Sequence, residues 1–205
     1  GGQGAPLVPA FHEQIFAHAD IHTVVLNLGG IANITVLPAQ SVGGCTLGFD
    51  TGPANMLMDA WCQQHTGKRY DANGDWAAAG QVDATLLQRL LAHPYFSLAE
   101  LTAISVCDAI KQTCQELSGD LLVCGGGANN RYLMARLQAH LTHWQVASTA
   151  SKGIDPQWIE ALAFAWLARQ MVSGLPGNLP AVTGASGPRI LGSYHPAATG
   201  RALGC

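Results

Sequence analysis

The 205 residues are 48% hydrophobic and only 11% charged, a balance that suits a buried α/β core and excludes a disordered chain. A net charge of −3 leaves no basic footprint for nucleic acid. No apolar run reaches the roughly 18–20 residues of a membrane span, and the most apolar stretch, IEALAFAWLARQMV, is interrupted by Glu160, Arg169 and Gln170 and reads as a buried helix.

Residues 5–19 read as a Pro-started helix with Phe11, Ile15 and Phe16 on one side. In HTVVLNLGGIANITVLP two β-rich runs flank Gly29-Gly30, which predicts a hairpin. CTLGFD (45–50) reads as a third strand, and ANMLMDAWCQQHTG as a helix stopped at Gly67. Another helix is expected over 81–92. LAELTAISVCDAIKQTCQEL repeats apolar residues at Leu98, Leu101, Ile104, Cys107, Ile110, Cys114 and Leu117, the spacing of a helix. DLLVCGGG (120–127) opens with a short buried strand, followed by a helix over 129–141 and a strand at WQVAST (144–149). The last helix is expected to start at Asp155-Pro156 and run to about Ser173. The rest, GLPGNLPAVTGASGPRILGSYHP, reads as irregular.

This order predicts an α/β domain whose sheet is antiparallel at first and gains parallel strands later. A single domain is expected over 1–205, with a lead-in segment and helix over 1–20, a core over 21–173 and an irregular tail over 174–205. None of the six cysteines forms a C-x-x-C pair, and most lie in apolar stretches, which fits a reducing, cytoplasmic setting. His18 and His22 are four apart, but a solvated helix end describes them better than a metal pair.

Three turns concentrate glycine: LNLGGIAN (26–33), FDTGPAN (49–55) and CGGGANN (124–130). Glycine lets the backbone approach a phosphate and exposes N–H groups as an anion nest, and a helix N-terminus adds a favourable dipole. Each turn alone is equally explained by a tight bend; three together, two at strand-to-helix junctions, point to a nucleotide site. No P-loop or dinucleotide fingerprint is present, since the sixth position of CGGGANN is Asn130. Asp50 closes the third strand next to Thr51-Gly52, where a carboxylate can hold Mg²⁺ directly or through water. The alternative is an Asp that caps the following helix.

GGQGAPLVPAFH, NLGGIANIT, GFDTGPAN, YDANG (70–74), LTAISVCDAIKQ, CGGGANN, EALAFAWLA and GLPGNLPAVTGAS together resemble the anhydro-N-acetylmuramic acid kinases, in the family's order and across nearly the whole chain. The resemblance implies a ribonuclease-H-like, actin-like ATPase fold, and places the chain as the C-terminal half of a two-domain sugar kinase. It implies ATP and Mg²⁺, an anhydro amino sugar as substrate, and a homodimer. The implied reaction opens 1,6-anhydro-N-acetylmuramic acid with water and phosphorylates O6, in cytoplasmic cell-wall recycling. By position, Gly29, Gly30 and Asn33 of the hairpin resemble a phosphate-contacting turn. Asp50, Thr51, Gly52 and Asn55 are implied near the cleft, and Gly125, Gly126, Gly127 and Asn130 at the nucleotide. Glu160 is implied as a sugar-side carboxylate, although an acidic residue also favours a helix N-terminus electrostatically.

Three departures from the family pattern stand out. The family's N-terminal half, with a first phosphate loop of the type G-T-S-x-D-G, has no counterpart among these residues. Its catalytic aspartate, in an F-R-x-x-D element just before GGQG, has none either. The family's segment containing K-S-T-G-R-E is also missing where Ser97 meets Leu98. The 205 residues alone are therefore expected to bind ATP weakly without turning over sugar. Ala54 stands where the family pattern has glycine, which requires that this position avoid positive φ. Another sugar kinase of the superfamily and a non-catalytic nucleotide-binding remnant are the alternatives.

Overall fold

The computed structural model describes residues 2–80, 85, 98–114 and 117–195. Helix α1 (Val8–Phe16) leads into strands β1 (His22–Leu28), β2 (Ile31–Leu37) and β3 (Leu47–Pro53). Helix α2 (Asn55–Thr66) and a short α3 (Asp75–Ala79) follow. Then come α4 (Leu98–Cys114), β4 (Gly119–Cys124), α5 (Arg131–His140), β5 (Trp144–Ser148), α6 (Ile159–Val172) and a one-turn α7 (Pro180–Thr183). Apart from Thr85, the helix expected over 81–92 lies outside the described residues.

The five strands form one sheet in the order β3-β2-β1-β4-β5. β1, β2 and β3 pair antiparallel, whereas β4 and β5 add in parallel beside β1. The expected switch from hairpin to parallel additions is therefore present. β1 and β4 are central and covered on both faces, which is why VVL and LLVC read as continuous apolar runs. Val24, Leu26 and Leu28 face a core with Ile34, Leu121 and Val123, closed by Val106 and Ile110 of α4 and Leu133 and Leu137 of α5. Val25, Leu37, Leu122 and Cys124 pack on the opposite face against Phe11 and Phe16 of α1 and Ile159 and Ala163 of α6.

His12 of α1 is buried in that second layer, with Nδ1 2.9 Å from Thr35 Oγ1. Burial pushes its pKa down to about 3, so the ring is neutral at neutral pH. Burial likewise raises the thiols of Cys107 and Cys124 to about 12 and that of Cys114 to about 11, which makes them inert packing groups. Among the described residues, no helix is long and apolar enough to cross a membrane.

Several boundaries differ from expectation. α6 begins at Ile159 because Asp155 is used one turn earlier, its carboxylate accepting the Gln157 N–H at 2.8 Å. α6 is also not the buried helix its composition suggests: one side meets the sheet and α1, while Trp158 just before it and Phe164 are 64% and 65% exposed. Ile15 is exposed, unlike Phe11 and Phe16. The tail carries α7 where no element was expected. His22 lies in β1 and accepts the Ala39 N–H, so it shares no helix face with His18.

Candidate functional site

The three glycine-rich turns converge where β1 ends. The link is Asn55, the first residue of α2, whose Nδ2 donates to the Leu28 carbonyl at 2.8 Å. The hairpin tip lies over the same helix start. Gly29 O accepts the Asn55 N–H at 3.0 Å, and Gly30 O accepts the N–H groups of Ala54 and Met56 at 3.0 and 3.3 Å. The donors at the start of α2 are therefore occupied by protein carbonyls and do not form the open anion nest that the sequence suggests.

The turn after β4 is built differently. Gly125 has φ +79, and a Cβ there would stand 2.6 Å from Asn27 Oδ1 and 2.9 Å from the Leu28 carbonyl oxygen. The Gly125 N–H is spent on Pro156 O, which ties β4 to the segment before α6. A Cβ on Gly127 would overlap Leu28 Cβ and lie 3.2 Å from Asn55 Oδ1. No backbone acceptor among the described residues takes the N–H of Gly126 or Gly127. Asn130 caps α5, its Oδ1 accepting the Leu133 N–H at 3.0 Å.

A cleft of about 1240 Å³ opens on this turn. Gly126, Gly127, Asn129 and Asn130 form one side, and Asn55, Met58 and Trp61 of α2 form another. Tyr70, Asp71, Asn73 and Trp76 close it. Asp59 also lines it, and burial raises its carboxyl above the ordinary carboxylate range. Next to Ala99, which lines the cleft, Glu100 of α4 receives two bonds from Arg136 of α5, at 2.6 and 2.8 Å, and lies 2.6 Å from His140 Nε2. The Arg136 guanidinium holds the Glu100 carboxyl below its usual range.

Of the residues singled out in the sequence, Asn55, Gly126, Gly127 and Asn130 share this cleft. The others lie outside its lining. Asp50 is on the exposed edge strand β3, opposite Asn33 in the register, and Asn33 is in turn opposite Asn27. Between Ala32 and Asn33 the β2–β3 register shifts, leaving Thr51 bulged with its hydroxyl donating to Ala32 O at 3.3 Å. Gly52 has φ +146 and faces Ser105. Glu160 is exposed in the first turn of α6.

The YDANG stretch (70–74), a point of resemblance to the kinase family, builds one wall. Asp71 accepts the N–H groups of Trp76 and Ala77, both at 2.9 Å, and so starts α3. Gly74 is buried, with the place of its missing Cβ taken by the Asn130 side chain and Tyr132. The available signal was turn chemistry, D-A-N-G-D directly before W-A-A-A.

The sequence model of the anhydro-N-acetylmuramic acid kinase family matches residues 1–99 and 97–197. The chain belongs to this family. An anhydro-N-acetylmuramic acid kinase of Thiobacillus denitrificans is 52% identical over 233 residues, covering 96% of this chain and 62% of that protein. Those of Nitrosospira multiformis and Xanthomonas campestris are 45% and 46% identical, over 96% of this chain and 62% and 60% of their own lengths. The chain thus spans about three-fifths of these kinases. The alignments exceed 205 residues, so the relatives carry residues inside the matched range that this chain lacks. The two matches to the kinase family meet at 97–99, where Ser97 adjoins Leu98. Ala54, where the kinase pattern has glycine, has φ −121 and meets the requirement set by its side chain.

Among solved structures, the activator of the 2-hydroxyisocaproyl-CoA dehydratase from Clostridium difficile, with bound ADPNP, aligns at a TM-score of 0.51. It is 13% identical and covers 76% of this chain and 62% of that one, a likeness of fold alone. With the sheet order and the flanking helices, it bears out the expected actin-like fold.

Proposed function

We propose that this chain forms the nucleotide-binding part of a kinase that uses ATP and water to convert 1,6-anhydro-N-acetylmuramic acid into N-acetylmuramic acid 6-phosphate, in cytoplasmic recycling of cell-wall sugars. The observation that carries this reading is the convergence of Asn55, Gly126, Gly127 and Asn130 on one large cleft. Phosphoryl transfer depends chiefly on positioning and on stabilising charge. The N–H groups of Gly126 and Gly127 suit an anionic or polar ligand, and the absence of side chains there allows close approach.

Asp50 fits a magnesium role of limited kind. It is an exposed carboxylate facing Asn33, and the described residues contain no group of three or more His, Cys, Asp or Glu able to hold a metal. Such a donor set suits an ion held mainly by phosphates and water, with one carboxylate contributing. Magnesium, when bound, would neutralise charge on the transferring phosphate. Glu160, exposed in α6, would face the sugar. Ring opening also needs a base to take a proton from water, and we assign it to the element that precedes GGQG in the kinase family. Completion of the site by that other half, and pairing of two copies, belong to the same proposal.

Mixing the 205-residue chain with ATP, Mg²⁺ and the anhydro sugar tests this directly. Weak nucleotide binding without sugar phosphate is expected, with turnover in a chain that also carries the preceding kinase half. Sugar phosphate formed by the 205 residues alone would refute the division of labour. Failure of both chains to bind any nucleotide would refute the whole reading.

A further inference from the structure

We infer that Trp61 and Trp76 form the platform on which the purine base of the nucleotide stacks, an inference that rests on the nucleotide reading above. Both indoles line the cleft and are 50% and 42% exposed. They do not fill the core. His65 joins them from behind: its ring centroid lies 4.2 Å from that of Trp61 and 6.4 Å from that of Trp76, with the latter pair stacked at 27°. Two large flat rings are thus held in fixed orientation at the edge of a cavity, which costs a ligand little side-chain ordering.

Their position matches a nucleoside. Asn55, Met58 and Trp61 recur every three residues on α2 and all line the cleft, so the helix runs outward from the glycine turn. At 1.5 Å per residue, Trp61 lies about 9 Å along the helix axis from Asn55. That is the scale of the separation between a nucleotide's phosphates and its base. Trp76 is delivered to the same end by a different route. The Asp71 carboxylate fixes the start of α3, and the Arg131–Asp75 ion pair at 2.8 Å together with the Gly74–Asn130 packing joins α3 to the glycine turn. Trp76 and the glycine turn are therefore tied to each other.

The charge pattern sorts the two ends of the ligand. Among the described residues the cleft lining contains no Lys or Arg; its carboxylates are Asp59, two residues before Trp61, and Asp71, which accepts the Trp76 N–H at the aromatic side. That side repels phosphate and accepts a neutral ring carrying N–H donors. The N–H groups of Gly126 and Gly127 occupy the other side.

Titration of the protein with ATP and with inorganic tripolyphosphate separates base from phosphate. Trp61→Ala and Trp76→Ala should each weaken ATP binding by roughly 10- to 100-fold, the usual worth of one stacked base. Tripolyphosphate binding should not change, and Trp61→Phe should restore most of the ATP affinity. Circular dichroism and melting temperature check that each variant is folded. Folded alanine variants that bind ATP as tightly as the parent overturn the platform and leave the nucleotide reading intact. Equal weakening of both ligands, or a parent that does not prefer ATP to tripolyphosphate, also overturns the platform. A parent that binds neither overturns both.

Discussion

Two neighbouring parallel strands, β1 and β4, end in glycine runs that look interchangeable: LNLGG and LVCGGG. They use glycine for opposite reasons. After β4, Gly125 adopts φ +79 and its missing side chain makes room for Asn27 and the Leu28 carbonyl. The following N–H groups remain available to the cleft. After β1, neither Gly29 nor Gly30 has positive φ, and the nearest atoms to an added Cβ are 3.8 Å away at both. What the β1 turn contributes is carbonyl oxygen, given to the first donors of α2. A glycine-rich turn can therefore be a ligand cradle or a helix seat, and only the direction of its peptide groups tells which.

The largest effect should come from Gly125→Ala. It combines a left-handed backbone with contacts at 2.6–3.0 Å to Asn27 and Leu28, and is expected to cost about 3 kcal/mol or more in urea unfolding. Unchanged stability would erase the contrast between the turns. Gly126→Val comes next. A Cβ at Gly126 meets only Asn55 Nδ2, at 3.6 Å, and the residue lines the cleft. Stability should hold while ATP affinity falls at least about tenfold, since the added branches project into space a ligand needs. Asn55→Ala removes the bond to Leu28 O that joins the turns, with an expected loss of about 1 kcal/mol.

How much of this was legible in the sequence depends on the range of the cause. β1, β2 and α2 with its stop at Gly67, which has φ +72, rest on local periodicity and turn chemistry and were readable. The resemblance implies Asn55, with Asp50, Thr51 and Gly52, near the cleft and Gly125, Gly126, Gly127 and Asn130 at the nucleotide; that Asn55, Gly126, Gly127 and Asn130 line one cleft is read from the fold. The partial exposure of α6 is not legible in its largely apolar composition, because the described core contacts only one side, through residues such as Ile159 and Ala163. The setting of Asp50 outside the cleft lining was hidden for another reason. A register shift at Ala32/Asn33 changes which residues of β3 share a face, and no pattern along β3 itself encodes the pairing partner. The role of YDANG also escaped, because Gly74 is set by a contact with Asn130, 56 positions away in the sequence.

The smallest expected effect is the sharpest test of the comparison. Gly30→Ala keeps the carbonyl that accepts from Ala54 and Met56, demands no left-handed backbone, and places its methyl 3.8 Å from Met56 Cβ. Stability should therefore change by less than about 0.5 kcal/mol. ATP affinity should stay the same, because Gly30 does not line the cleft. If instead the folded variant loses ATP affinity, the hairpin tip approaches a phosphate as closely as the β4 turn does. The carbonyl seat on α2 would then be only half of what Gly30 does, and glycine there would be required by the ligand rather than by the fold.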